Sequence, residues 1–228
     1  MALRALRQGN TGIRVLQETK LNGGVHTQQN PGYTVWATEE ESRHQGGVSV
    51  VWRDAEGWGF EGVWNFGPNV VSFIITLGRK RWYGVRSYVP PNNLPMINWI
   101  RQALDFRPKG MGKFLVGNLN ACLENPRDQR EEQLATVLAR HGLTDHAQHF
   151  SPRWKYRAEG NWTWRMWMEE RPISVQGDYI LGIQDDFSMV GLQEPRTPTD
   201  HPMVLGVLFG DGVTRHRAYV KGRTNWPI

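Results

Sequence analysis

Cysteine is almost absent from this sequence, which has only Cys122 among its 228 residues. One cysteine cannot form a disulfide within the chain or a cysteine-rich zinc site, and such usage is typical of a reducing compartment. Long apolar runs are also missing, since no stretch approaches the roughly 18 residues of a membrane-spanning helix, and the N-terminus lacks the apolar core of a secretory signal. We therefore expect an intracellular protein, nuclear or cytoplasmic, with no membrane partner.

Acidic residues are the minority among the charges. Asp and Glu number 22 against 27 Lys and Arg, so the net charge is +5 and the isoelectric point is about 9.6. This balance suits a polyanionic partner, although many soluble proteins are mildly basic. Hydrophobic residues make up 39% of the chain, which at this length is enough to bury one core. We expect a single domain over residues 1–228.

Strand patterns outnumber helix patterns along the chain. Apolar runs bounded by turn residues predict strands, and apolar residues at helical spacing predict a helix over 94–106 and a second one starting at Asn125 and Pro126. The predicted strands lie at 13–18, 33–36, 48–52, 58–64, 70–77, 81–89, 114–119, 178–181, 187–190, 203–209 and 217–220. Two packed sheets with helices on their outer faces would bury these runs.

Polar clusters directly follow or precede several of these strands. A rigid scaffold presents catalytic side chains at strand ends, and a carboxylate beside a histidine suits acid–base chemistry. Hard oxygen ligands suit Mg²⁺. Taken singly, each cluster also fits an ordinary turn or cap. The clusters are LQET at 16–19, YVP at 88–90, GNLN at 117–120, DYIL at 178–181 and TDHPMV at 199–204.

In this order the clusters resemble the motifs of the endonuclease/exonuclease/phosphatase superfamily, the DNase I-like proteins. The regions around GNLN and DYIL look most like the endonuclease domain of LINE-type non-LTR retrotransposons. The resemblance implies a four-layer α/β sandwich, in which two mixed sheets are flanked by helices. It also implies Mg²⁺-dependent hydrolysis of a DNA phosphodiester, with Mn²⁺ as an alternative metal, and a reverse transcriptase domain as a partner in a longer polyprotein.

The same resemblance assigns roles to individual residues. Glu18 matches the metal-binding glutamate, with Asp200 at the metal or phosphate end. Tyr88 matches the tyrosine that contacts the scissile phosphate, and Asn120 matches the asparagine that orients it. Asp178 matches the aspartate that orients the catalytic histidine, here His201.

Two departures from the family pattern predict weak activity. Asn118 stands where the family has the aspartate that activates the attacking water, and an amide cannot accept that proton. Losing a general base lowers the rate by roughly 10²–10⁴. The family also opens with a central strand that carries a polar metal ligand, and no such strand precedes Ile13. Its absence predicts two neighbouring strands with unpaired edges.

Basic and aromatic residues interleave over 153–171, where the sequence reads RWKYRAEGNWTWRMWMEER. Such surfaces stack bases and contact phosphates, so Arg153 and Lys155 are predicted DNA-binding residues, while Trp162 and Trp164 would alternatively pack in the core on a strand. The family resemblance implies a DNA-facing role for Trp164 and Arg165, because family members place a threonine–aromatic element beside the cleft. Three functional hypotheses follow: a DNA-nicking endonuclease, weakened or decayed; a non-catalytic nucleic-acid-binding module of the same fold; and a phosphatase acting on a small phosphoester. The basic, tryptophan-rich segment suits a long polyanion better than a small ester.

Overall fold

The structure is a computed structural model. It describes residues 11–17, 26–30, 32–38, 40–42, 45–46, 48–54, 58–67, 69–90, 95–145, 164–168, 171–175, 177–183, 187–193, 203–208 and 217–220. No helix in these ranges is long and apolar enough to cross a membrane.

Strands dominate the described residues. In chain order they are β1 (Thr11–Gln17), β2 (His26–Asn30), β3 (Tyr33–Ala37), β4 (Glu40–Ser42), β5 (Gln45–Gly46), β6 (Val48–Arg53), β7 (Trp58–Gly67), β8 (Val70–Leu77), β9 (Lys80–Tyr88), β10 (Gly112–Asn118), β11 (Thr144–Asp145), β12 (Trp164–Met168), β13 (Arg171–Val175), β14 (Asp178–Gly182), β15 (Phe187–Gln193), β16 (Met203–Leu208) and β17 (Arg217–Val220). Two helices are described, α1 (Pro95–Asp105) and α2 (Gln129–Arg140).

The strands form two large mixed sheets. One has the order β15-β16-β17-β1-β6-β3-β2 and the other β11-β14-β10-β9-β8-β7, while β12–β13 and β4–β5 form separate pairs. In the first sheet β1 runs parallel to β17, and in the second β10 runs parallel to β9. This architecture confirms the predicted α/β sandwich of two mixed sheets.

The core has two layers, one on each face of the six-stranded sheet. One buried cluster joins the two sheets and includes Val15 of β1 and Val116 of β10. The other lies between the six-stranded sheet and the helices and includes Ile100 of α1 and Leu134 of α2. A sheet buried on both faces explains the almost unbroken apolar sequence VVSFIITL of β8.

The C-terminal strand corrects one expectation from the sequence. β17 lies inside the seven-stranded sheet, where it pairs with β1 on one side and with β16 on the other. The two unpaired edges expected at the centre of the sheet therefore do not occur between these strands. The strand at 217–220 was predicted, but its central place depends on long-range pairing that a short local pattern does not reveal.

The start of α2 is a second correction. The sequence favoured a cap at Asn125 and a first-turn proline at Pro126, but the helix begins at Gln129 after the N-cap Asp128. The Asp128 side chain accepts a hydrogen bond of 2.8 Å from the Glu131 backbone N–H. An aspartate at this position satisfies a helix N–H that would otherwise lack a partner.

Candidate active site

Three predicted site residues form one row across the six-stranded sheet. Tyr88 ends β9, Asn118 ends β10 and Asp178 begins β14, and the register pairs Tyr88 with Asn118 and Asn118 with Asp178. Neighbouring strands lie about 4.8 Å apart, so these side chains are direct lateral neighbours. Tyr88, Asn118 and Asp178 are 3%, 5% and 1% exposed, so all three residues of the row are buried.

Gly117 allows the strands of this row to approach each other. Its φ is +149°, and a Cβ added there would lie 1.7 Å from the backbone oxygen of Ser87 on β9. Only glycine tolerates both this backbone conformation and this contact. The glycine before Asn118 therefore keeps β9 and β10 close enough to place Tyr88 beside Asn118.

A tight turn after β10 carries Asn120, which has a φ of +43°. The Asn120 backbone N–H donates to Oδ1 of Asn118 at 2.8 Å, and its side-chain Nδ2 donates to the Val89 carbonyl at 2.8 Å. The Leu119 N–H donates to the Gly177 carbonyl at 2.7 Å. These bonds join the ends of β9, β10 and β14 and direct the Asn120 side-chain oxygen away from Val89.

The Asn118 side chain therefore has a structural role in this turn. Its Oδ1 accepts the Asn120 N–H, a bond that an aspartate oxygen would accept equally well. The difference between the two residues lies in the second terminal atom, which is an Nδ2 donor here and a basic oxygen in an aspartate. The geometry thus accommodates either residue, while the chemistry differs.

Tyr179 supports the site from the helical side of the sheet. Its hydroxyl donates to the Ala121 carbonyl at 2.7 Å, just beyond the turn. Burial raises the pKa of Tyr179 well above its usual value of 10.0, which keeps the phenol protonated as a donor. The side chain of Asp178, the preceding residue, lies on the opposite face of the strand, in the row with Tyr88 and Asn118.

Two residues that hold the turn were missed by the sequence reasoning. Gly177 accepts from Leu119, and the buried Arg130 of α2 donates to the carbonyls of the turn. Arg130 and Glu131 form a charged pair in the first turn of α2, where both residues are buried. Charged residues in that position are normally on the solvent face, so this pattern gave no indication of a buried pair.

Glu18, Asp200 and His201 lie outside the described residues, but the strands next to them are described. β1 ends at Gln17, just before Glu18, and β16 begins at Met203, two residues after His201. Val220 of β17 pairs with Val15 on one side and with Val204 on the other. The C-terminal end of β1 and the N-terminal end of β16 therefore lie on the same side of the seven-stranded sheet, where the strand ends meet, with β17 between them.

The predicted DNA-binding residues divide in the same way. Arg153 and Lys155 lie outside the described residues. Trp164 and Arg165 begin β12, which pairs with β13 in a two-stranded sheet, with Trp164 opposite Val175 and Arg165 opposite Ser174.

The described residues test whether Mg²⁺ would fit this site. At the start of β14 and in the turn after β10, the described residues offer the Asp178 carboxylate and the Asn120 side-chain carbonyl, and hard oxygen donors are what Mg²⁺ prefers. Within the described ranges no three His, Cys, Asp or Glu residues come together as a metal site. The chemistry of these two oxygen donors fits Mg²⁺, while Glu18 and Asp200, the predicted metal ligands, lie outside the described residues.

Comparison with solved structures places this arrangement in a known fold. The chain is similar to the endonuclease domain of TRAS1, a telomere-specific non-LTR retrotransposon, with a TM-score of 0.62 and 15% identity, covering 88% of this chain and 87% of that one. It is also similar to an endonuclease/exonuclease/phosphatase family protein from Leptotrichia buccalis C-1013-b, with a TM-score of 0.62, 12% identity and 88% of each chain covered. A functionally unknown conserved protein from Enterococcus faecalis V583 matches with a TM-score of 0.55, 12% identity, and 78% and 77% of the two chains covered.

These similarities show a DNase I-like sandwich, the fold that the motifs indicated. No protein-family model matches the chain, and no curated protein matches its sequence. At 12–15% identity the likeness concerns the fold.

Proposed function

We propose that the protein is a metal-dependent endonuclease that hydrolyses DNA phosphodiesters, with a rate reduced by Asn118. The observation that carries the proposal is the row of Tyr88, Asn118 and Asp178 on three adjacent strands, with Asn120 in the turn beyond it. This row belongs to a fold shared with a retrotransposon endonuclease domain.

In the proposed reaction, water adds to phosphorus, one P–O ester bond breaks, and a phosphomonoester and a free hydroxyl result. The Tyr88 hydroxyl and the second N–H of Asn120 Nδ2 donate to non-bridging phosphate oxygens, and the bond from the first N–H to Val89 holds the Asn120 side chain in one orientation. Asp178 orients His201 and stabilises its protonated form, as a carboxylate does for a catalytic imidazole.

Glu18 and Asp200 would hold Mg²⁺ or Mn²⁺, which would neutralise phosphate charge when bound. Arg153, Lys155, Trp164 and Arg165 would contact the DNA backbone and bases outside the reacting phosphate. The binding contributed by Arg153, Lys155 and Arg165 should be electrostatic, so affinity should fall steeply with salt.

Asn118 limits this reaction because its side chain has no atom that accepts a proton at neutral pH. One of its terminal atoms already binds the turn, and the other is an N–H donor. Water activation therefore falls to other groups, which we expect to lower the rate by roughly 10²–10⁴ relative to an aspartate.

Nicking of supercoiled plasmid DNA tests the proposal. Weak Mg²⁺-dependent nicking should disappear in Asp178→Asn and His201→Ala, and Arg101→Gln on the exposed face of α1 is a matched surface control that should retain it. Robust nicking that survives both site substitutions would show that other residues carry the chemistry.

A non-catalytic nucleic-acid-binding module is the second candidate, and the amide of Asn118 favours it. Salt-dependent binding to duplex DNA, with no nicking by either the natural chain or Asn118→Asp, would support this alternative. A phosphatase would instead release phosphate from a small phosphomonoester and leave plasmid DNA intact.

A further inference from the structure

Arg130 is a buried cation in an unfavourable place. It is the second residue of α2, and its side chain is 9% exposed. The N-terminus of a helix carries positive partial charge, which repels a guanidinium, and removing a cation from water is itself unfavourable. A structural or functional gain must offset both effects.

The nearby carboxylate explains only part of this arrangement. Arg130 lies 3.6 Å from Glu131, but Glu131 binds Arg127 more closely, accepting its backbone N–H at 2.7 Å and its guanidinium as well. Glu131 is completely buried, and its single negative charge faces the guanidinium groups of both arginines. A buried pair of this kind would be satisfied by Arg127 alone.

The hydrogen bonds of Arg130 point instead to the turn after β10. Its Nη2 donates to the Asn120 carbonyl at 2.6 Å, and its Nη1 lies 3.5 Å from the Leu119 carbonyl, at the limit of a hydrogen bond. Asn120 has a left-handed backbone, which residues other than glycine seldom adopt unless their surroundings hold them there. Arg130 therefore binds the one residue of the turn whose conformation most needs support.

We propose that Arg130 is a positioning residue, which sets the orientation of Asn120 for phosphate binding by clamping its backbone carbonyl from α2. This inference rests on the proposed function for its catalytic consequence, but the clamp itself is a property of the folded chain. Planar guanidinium binds two neighbouring carbonyls with a geometry that a lysine ammonium cannot reproduce. Arginine is thus a better donor than lysine at position 130, whereas position 127 requires only a partner for Glu131.

Arg130→Met and Arg130→Lys test the proposal in the full chain, with Arg127→Gln as the matched control. Arg127 contacts the same carboxylate from the same helix end but makes no described bond to the turn. The first readout is the side-chain amide resonance pair of Asn120 in ¹⁵N-resolved NMR spectra, together with hydrogen exchange of the Leu119 and Asn120 amides. Arg130→Met should shift the Asn120 side-chain resonances and accelerate amide exchange at Leu119 and Asn120 about tenfold or more, because the turn opens more easily. Arg130→Lys should cause smaller changes in both measurements. Arg127→Gln should change neither.

The second readout is Mg²⁺-dependent nicking in an Asn118→Asp background. Arg130→Met, which would misplace Asn120, should lower kcat by about tenfold to a hundredfold with little change in KM. Arg130→Lys should lower kcat less than Arg130→Met does. Unchanged Asn120 resonances in a folded Arg130→Met or Arg130→Lys protein would overturn the clamp. Altered resonances with unchanged kcat would overturn the positioning role. If nicking is absent from every variant, the proposed function fails, while the NMR readout still decides the clamp.

Discussion

Replacing Gly117 by alanine should destabilise the protein and separate two strands of the candidate site. The added Cβ would lie 1.7 Å from the Ser87 backbone oxygen, and because that atom belongs to a central strand it cannot move aside as a flexible side chain could. Overpacking of this kind costs about 1–3 kcal/mol or more. The φ of +149° adds about 1–3 kcal/mol for a residue with a Cβ.

Together these effects predict a loss of about 2–6 kcal/mol in the free energy of unfolding, a large share of the roughly 5–15 kcal/mol typical of a folded domain. For a chain of this length each kcal/mol lowers Tm by about 2–4 °C, so Gly117→Ala should melt roughly 4–24 °C lower. Thermal unfolding followed by circular dichroism measures this shift.

Gly142→Ala is the matched control. Gly142 also has a positive φ, +65°, but a Cβ there would meet nothing within 4 Å. In Gly142→Ala only the cost of the left-handed backbone conformation remains, about 1 kcal/mol in the free energy of unfolding, which corresponds to a decrease in Tm of about 2–4 °C. Equal melting temperatures for the two variants would refute the reasoning that the β9–β10 contact, rather than backbone conformation alone, requires a glycine at position 117.

Three further predictions concern chemistry and pH. Asn118→Asp should keep the bond to the Asn120 N–H and raise Mg²⁺-dependent nicking by up to roughly 10²–10⁴, measured on supercoiled plasmid; a rate no higher than that of the natural chain would contradict the role assigned to position 118. The buried Tyr83 hydroxyl donates to the Ala103 carbonyl at 2.7 Å, and burial raises its pKa to about 12 from 10.0. Because the folded-state pKa of Tyr83 is raised, its contribution to the free energy of unfolding is complete below pH 10 and is lost as the pH rises to about 12. Urea titrations should therefore show that Tyr83→Phe lowers the free energy of unfolding by about 1 kcal/mol at neutral pH and that this variant loses less stability at alkaline pH. Burial, and then the charge of Lys113, lower the pKa of His141 below 6.5. Its contribution to the free energy of unfolding should therefore be complete above pH 6.5 and be lost as the pH falls through the folded-state pKa. In urea titrations at different pH values, His141→Gln should lose less stability than the natural chain over this acidic range.

The strand pattern was predicted well where both faces of a strand are buried. The run at 70–77 was predicted with the same bounds as β8, because a continuous apolar sequence between turn residues is a local signal. The start of α2 was not, since Asn125, Pro126 and Asp128 are all acceptable at a helix start. Asp128 is the cap because its oxygen binds the Glu131 N–H, and local preference alone could not rank these residues.

In the candidate site, too, some residues could be predicted from the sequence and others could not. The order of the motifs pointed to Tyr88, Asn118, Asn120 and Asp178, and these residues do lie together. The sequence did not point to Arg130, because a charged residue in a first helical turn normally faces water. Only the packing of α2 against the turn after β10 shows that this side chain is buried and donates to Asn120.

The sequence by itself determined the fold class, the strands of the core and the motif residues at strand ends, since apolar periodicity and local motifs are encoded over a few neighbouring residues. Tertiary structure decided what depends on residues far apart in the chain. It put Tyr88, Asn118 and Asp178 in one row through the register of β9, β10 and β14, and it inserted β17 between β1 and β16. Register and strand order follow from which pairing buries the most apolar surface and satisfies the backbone across the whole sheet, and no local stretch of sequence contains that information.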